Sequence, residues 1–145
     1  MDVRDDPRKS AGHRVLPESS DLLIEAWAPA REQCMVQAVQ ALVACFADVS
    51  DATPGRVVPF AFPPGSDDQQ LVDLLTECLS VFEIFGVVPV STHVDRAEDG
   101  SLVGCFETTD VAQLRLPSGP PEGVRLHELE FEQTDGWHCL VGVDL

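Results

Sequence analysis

One stretch of this chain restricts the fold more than any other. Leu71, Leu74, Leu75, Cys78, Leu79 and Phe82 recur at the spacing of an amphipathic helix. Ser66 and Gln69 stand before them as an S-x-x-Q capping pair. Asp67 and Asp68 add negative charge in the first turn, where the helix dipole favours it, and Gly86 follows as a stop. The spacing predicts a helix over 67–85. Such a helix buries one face, so the remaining chain must supply an apolar surface to receive it.

That surface reads as strands. Gly12 to Leu16 fits a short edge strand, and Pro17 with Ser19-Ser20 marks a turn. From Asp21 to Trp27 the side chains alternate, with Leu22, Ile24 and Ala26 on one face. Pro29 suits the first position of a helix. Met35, Val39, Leu42, Val43 and Phe46 then give a second helical stripe, and the predicted helix spans 29–48. Asp51 to Gly55 is a loop, and Arg56 to Phe62 is a strand. Val87–Val94 and Leu102–Glu107 flank Asp99-Gly100 as a hairpin. Val111 to Leu116 is predicted as a short strand and Pro117 to Gly123 as a loop. Val124–Glu132 and Trp137–Asp144 form a second hairpin across Asp135-Gly136. The order predicts an α+β fold: two helices packed on one face of a largely antiparallel β-sheet. Residues 1–11 are expected to be loosely attached and 12–145 to form one domain.

Charge narrows the function. The chain carries 25 acidic and 9 basic residues, a formal net charge of −16. Nucleic-acid binders carry basic patches, so direct RNA or DNA binding is not expected. An acidic protein meets basic protein surfaces or cations more readily, although solubility alone also accounts for the charge. No apolar run reaches the roughly 18 residues a membrane span needs, and the first ten residues lack a signal-peptide core, so a cytoplasmic protein is expected. Cys34, Cys45, Cys78, Cys105 and Cys139 show no C-x-x-C pair and read as free thiols. No phosphate loop, nucleophile elbow, zinc-protease or EF-hand pattern is present.

The strand opening at Asp21 and the segment Val141-Gly142-Val143-Asp144-Leu145 are expected to lie side by side. They would then put two carboxylates at one spot, where mutual repulsion raises one pKa or recruits a cation. Leu145 follows Asp144, and its α-carboxylate is expected as a third oxygen donor. Hard oxygen donors suit Ca²⁺ or Mg²⁺. Singly, Asp21 also reads as a turn-capping residue and Asp144 as a solvated one.

The stretch Ser20-Asp21 through Glu25-Ala26-Trp27-Ala28-Pro29 and its following helix resembles the archease family, whose corresponding stretch reads H-T-A-D, a strand, then G/A-P and a helix. Leu71-Val72-Asp73-Leu74-Leu75-Thr76-Glu77, the His127–Glu130 strand, the Asp135-Gly136-Trp137 turn and Val143-Asp144-Leu145 extend the likeness. The resemblance implies an accessory protein, not an enzyme, that promotes guanylylation and turnover of the RNA-splicing ligase joining tRNA halves. It implies a divalent-cation site carried by Asp21 and Asp144. Two positions depart from the family: its His of H-T-A-D is Glu18 here, and a lysine five residues before the His-x-Leu-Glu strand is Glu122. His127 matches a family histidine but also reads as a satisfied strand residue. Asp73 and Glu77 lie one turn apart on the second helix, as part of its polar face or facing the site. The alternatives are a diverged protein-binding or chaperone-like module on the same fold, and a small hydrolase built on the acidic cluster, for which no nucleophile–base pair is readable.

Overall fold

The computed structural model describes residues 10–18, 21–114 and 125–144, the side chains of Glu18 and Asp21 excepted. The elements run β1 (Gly12–Glu18), β2 (Asp21–Ala28), α1 (Arg31–Ala44), β3 (Val57–Phe62), α2 (Asp67–Phe85), β4 (Val87–Arg96), β5 (Leu102–Asp110), β6 (Arg125–Thr134) and β7 (Gly136–Asp144). The strands divide into two sheets, ordered β1-β2-β7-β6 and β3-β5-β4, and every pairing is antiparallel. This is the expected α+β class. The separation into two sheets is new, because hairpin signals specify neighbours but not which hairpins join.

Helix α1 packs on β1, β2 and β7 of one sheet and on β4 of the other; α2 packs on α1, β3, β4 and β6. The helices therefore join the sheets. Ile24, Met35, Leu42, Leu71, Leu74, Leu75, Leu102 and Phe106 are fully buried in one continuous apolar cluster drawn from both helices and both sheets. Cys34, Cys78 and Cys139 are buried in it, and all five cysteines are free thiols. Burial pushes the Cys78 thiol up to about 12, so it acts as a small apolar group.

Helix α2 has the predicted bounds. Ser66 is its N-cap and accepts from the Gln69 backbone N–H at 3.1 Å. The reciprocal half of the capping pair is absent, because the Gln69 amide donates instead to Asp73 one turn on, at 2.8 Å. Gly86 closes the helix at φ +67°, its N–H bonded to Phe82 O. Helix α1 is shorter than predicted. Pro29 lies before the N-cap Ala30, not at the first helical position. At the other end Cys45 and Phe46 tighten onto the carbonyls of Leu42 and Val43, and Asp48 turns aside to accept from Ser50. Pro17 belongs to β1 and not to a turn, which its edge position allows. The predicted strand from Val111 is a single 3₁₀ turn, Val111–Gln113, because the Asp110 carboxylate caps it at Ala112 N. The loop expected over 117–123 and the N-terminal 1–9 lie outside the described residues.

A polar hub fixes the helix pair. Arg31, only 5% exposed, donates Nε to Asp67 at 2.6 Å, Nη1 to Glu32 at 2.6 Å and Nη2 to the Gln70 side-chain oxygen. Gln70 is fully buried, and its amide donates to Pro63 O at 3.1 Å and Gly100 O at 2.9 Å. One side chain thus ties α1, the turn before α2 and the β4–β5 hairpin. Gln70→Leu keeps the volume but strands the guanidinium and two carbonyls, and should cost about 3 kcal/mol in denaturant unfolding. The exposed neighbour Gln69→Leu should stay within about 0.5 kcal/mol. Equal losses at the two positions would show that the hub has no special role.

Candidate cation site at one end of the four-stranded sheet

The register places three of the expected site residues, Glu18, Asp21 and Asp144, on one transverse line. In the β1–β2 pair Glu18 stands opposite Asp21. In the β2–β7 pair the residues opposite each other include Leu22 and Val143, so Asp21 and Asp144 each follow one step beyond, at the same end of adjoining strands. In the β6–β7 pair Arg125 stands opposite Asp144. Glu18, Asp21, Asp144 and Arg125 therefore cross the sheet from edge to edge. The helices cover the face carrying Ile24, Ala26, Val141 and Val143. Asp144, Gly142 and His138 alternate onto the other face.

A β-bulge sets this end of β6. From the turn inward, Glu130 pairs with Leu140, but His127 pairs with Gly142, so one residue of β6 has been inserted. Glu128 absorbs it with φ +52°, the left-handed region that non-glycine residues rarely enter. A one-residue slip exchanges the two faces of a strand. Without it Leu126 would oppose Asp144; with it Leu126 turns to the core and Arg125 and His127 share the open face with Asp144. The apolar spacing Leu126, Leu129, Phe131 breaks strict alternation at this point, and is the sequence signal for the bulge. The His127 imidazole lies across Gly142, where any Cβ would overlap the ring. Its side chain is 36% exposed, with Nδ1 4.0 Å from a Glu128 oxygen.

Sequence reasoning missed a second cluster farther along the same face. Glu25 accepts from Arg14 Nε and from His138 Nε2, the latter at 2.6 Å. The Arg14 guanidinium also lies 5.9 Å from the centre of the Trp27 ring. Burial pushes the Glu25 carboxyl up, but the hydrogen bonds from His138 and Arg14 outweigh it and hold the pKa below the ordinary value. Cross-strand register carried the signal: Arg14 opposes Glu25, and His138 opposes Trp27, two residues along β2 on the same face.

Glu122 and Leu145 lie outside the described residues. Among the described residues no three His, Cys, Asp or Glu side chains gather into a metal-holding group. Asp73 accepts from Gln69 on its own helix.

The chain matches the model of the "Archease protein family (MTH1598/TM1083)" over residues 13–145. It is 37% identical over 140 residues to "Probable protein archease" of Mycobacterium tuberculosis, in both strains CDC 1551 / Oshkosh and ATCC 25618 / H37Rv. That alignment covers 96% of this chain and 78% of the relative. The solution structure of Methanobacterium thermoautotrophicum protein 1598 superposes with a TM-score of 0.69 at 20% identity, covering 92% of this chain and 99% of that one, and supports the fold. The chain belongs to the archease family.

Two measurements test this geometry. Glu128→Val should cost about 1–2 kcal/mol, because a β-branched residue resists the left-handed conformation, whereas Glu128→Gly should be tolerated. Equal unfolding midpoints for the two variants would contradict the bulge. Glu25 has a depressed folded pKa, so its contribution is present above the unfolded carboxyl value and disappears as pH falls through the folded one. Glu25→Gln should therefore cost about 1 kcal/mol at pH 7, and the gap should close below about pH 4. A gap that persists at pH 2 would remove the ionised carboxylate from the explanation.

Proposed function

We propose that this protein is a non-catalytic partner of an RNA-splicing ligase, promoting its guanylylation and turnover in tRNA splicing through a divalent cation held at Asp21 and Asp144. The observation that carries the reading is the adjacency of the ends of β2 and β7, where these two residues follow the Leu22–Val143 pair. Directly opposed Cα atoms in an antiparallel pair are about 4.5–5.5 Å apart. Carboxylates from two such positions can share one Ca²⁺ at roughly 2.3–2.6 Å from each oxygen. Asp21 and Asp144 offer oxygen donors only, which suits Ca²⁺ or Mg²⁺ over zinc. The cation supplies a positive centre on an otherwise acidic surface. Family membership supports the ligase as partner. The charge of −16 favours a protein contact over direct RNA binding. No helix among the described residues is long and apolar enough to cross a membrane, in keeping with a proposed cytoplasmic location.

A second reading rests on Glu18. It stands opposite Asp21, at the position where the family carries histidine. An added carboxylate there strengthens cation binding and repels phosphate-bearing ligands. The protein then serves as a cation- and protein-binding module that activates a ligase weakly.

Titration calorimetry should show Ca²⁺ or Mg²⁺ binding that the Asp21→Asn, Asp144→Asn double variant abolishes. A guanylylation assay of the ligase from the same organism should show stimulation that the double variant loses. Stimulation unaffected by the double variant would separate the activity from the carboxylates. Weak stimulation that rises with Glu18→His and Glu122→Lys would favour the second reading.

A further inference from the structure

The C-terminal end of α2 carries an exposed apolar pair. Ile84 is 71% and Phe85 48% exposed, and the only other large apolar side chain so exposed among the described residues is Val57. Val57 alternates onto the opposite face of its sheet from the buried Phe60. The backbone carrying Ile84 and Phe85 is anchored at the helix end. Gly86 seals the helix immediately behind them, and its carbonyl accepts from Val111 N at 2.9 Å. The Arg56 guanidinium lies over the Phe85 ring, 4.6 Å from its centre. Anchors ordered before binding lose little entropy when a partner arrives. Beside them is a concavity of about 340 Å³ lined by Thr53, Arg56, Phe85, Thr108 and Asp110 among others.

Charge selects the occupant. Helix α2 has no basic residue of its own in its last turn to offset the negative end of its dipole. Glu83 and Asp110 are exposed at the same end. Arg56, the one cation lining the concavity among the described residues, is engaged with the Phe85 ring. The whole chain adds a long-range field from its net charge of −16. The surface therefore suits a basic partner with apolar anchors. A second copy brings the same negative charge and is repelled. Strand addition is disfavoured as well. Thr108 N donates to Arg56 O, so the even-numbered residues of β3 bond to β5 and the odd-numbered ones face the open edge. Pro59 stands at an odd position and has no N–H to offer an added strand.

We propose that Ile84, Phe85 and the concavity beside Asp110 form the docking surface for the basic face of a protein partner, contacted through side chains and separate from the β2–β7 carboxylates. For the partner's identity this rests on the ligase reading above, since an enzyme that holds RNA presents basic surface. The probe is the RNA-splicing ligase of the same organism, with binding followed by calorimetry at two salt concentrations. Ile84→Ser with Phe85→Ser should weaken binding tenfold or more while circular dichroism stays native. Glu83→Lys should weaken binding and flatten its salt dependence. Asp144→Asn should keep binding while losing stimulation of guanylylation. Ile84→Asn alone, at so exposed a residue, keeps the test usable should the double variant unfold. A change smaller than tenfold in the folded double variant overturns the proposal. So does a wild-type dimer in light scattering that the double variant splits, or a wild-type protein that does not bind the ligase. Patch-dependent binding without any stimulation leaves the docking surface standing and removes the proposed activation.

Discussion

The fold depends on a buried hydrogen-bonded cation. Arg31 opens α1 and is almost wholly out of solvent, a placement tolerable only because Asp67, Glu32 and Gln70 receive its N–H groups. Gln70 extends the arrangement to Pro63 and Gly100. Apolar packing would hold α1 and α2 together without fixing how one slides along the other, because dispersion and burial have little directionality. The guanidinium and the amide do have direction. They pin the first turns of both helices to the hairpin of the three-stranded sheet, and α1 then presents its other side to β1, β2 and β7. The position of the candidate site relative to the second sheet follows from this constraint.

The bulge at Glu128 acts on a shorter scale. A regular hairpin would carry alternation unbroken from Thr134 to Arg125 and turn His127 inward. One inserted residue costs a left-handed conformation at a non-glycine position. In return Leu126 reaches the core, and Arg125 and His127 join Asp144 on the open face. Gly142 completes the arrangement, since any side chain there would collide with the His127 ring. Such strain persists when its surroundings over-determine it, and here it lies where the proposed chemistry lies.

Much of this was readable in the residues, and the limits have physical causes. Helix α2 was legible to the residue because its cap, periodicity and stop agree. Helix α1 was overextended at both ends because its stripe continues through Phe46, while the competing Asp48 turn is local hydrogen bonding that periodicity does not register. The 3₁₀ turn at Val111 was hidden because Asp110 caps it and propensity alone favours a strand. The adjacency of the ends of β2 and β7 followed from reading both segments as strands beside each other. The Glu25–Arg14–His138 cluster did not, since it depends on register across three strands. The Arg31–Gln70 hub was invisible, because a sequence does not say which polar residues a core will enclose.

These constraints bear on how an acidic protein can operate on an RNA-processing enzyme. A surface of net charge −16 is repelled by RNA phosphates. It approaches such an enzyme only where RNA is not bound, or competes for the basic surface RNA would occupy. On the proposed reading, a divalent cation at Asp21 and Asp144 would neutralise the two carboxylates locally and leave most of the long-range field, which is screened only beyond about 8–10 Å at physiological salt. Approach and local chemistry are thus separable. On that reading, the field and the α2 end would bring a basic protein in, and a bound cation would meet whatever negative group that protein presents. Arg125, opposite Asp144 in the register, adds a fixed positive charge to the same line and limits how much the site relies on the ion. On the same proposed reading, Glu18 at the far end of that line would favour holding a cation, and any contact with phosphate-bearing ligands would fall to Arg125 and the ion together.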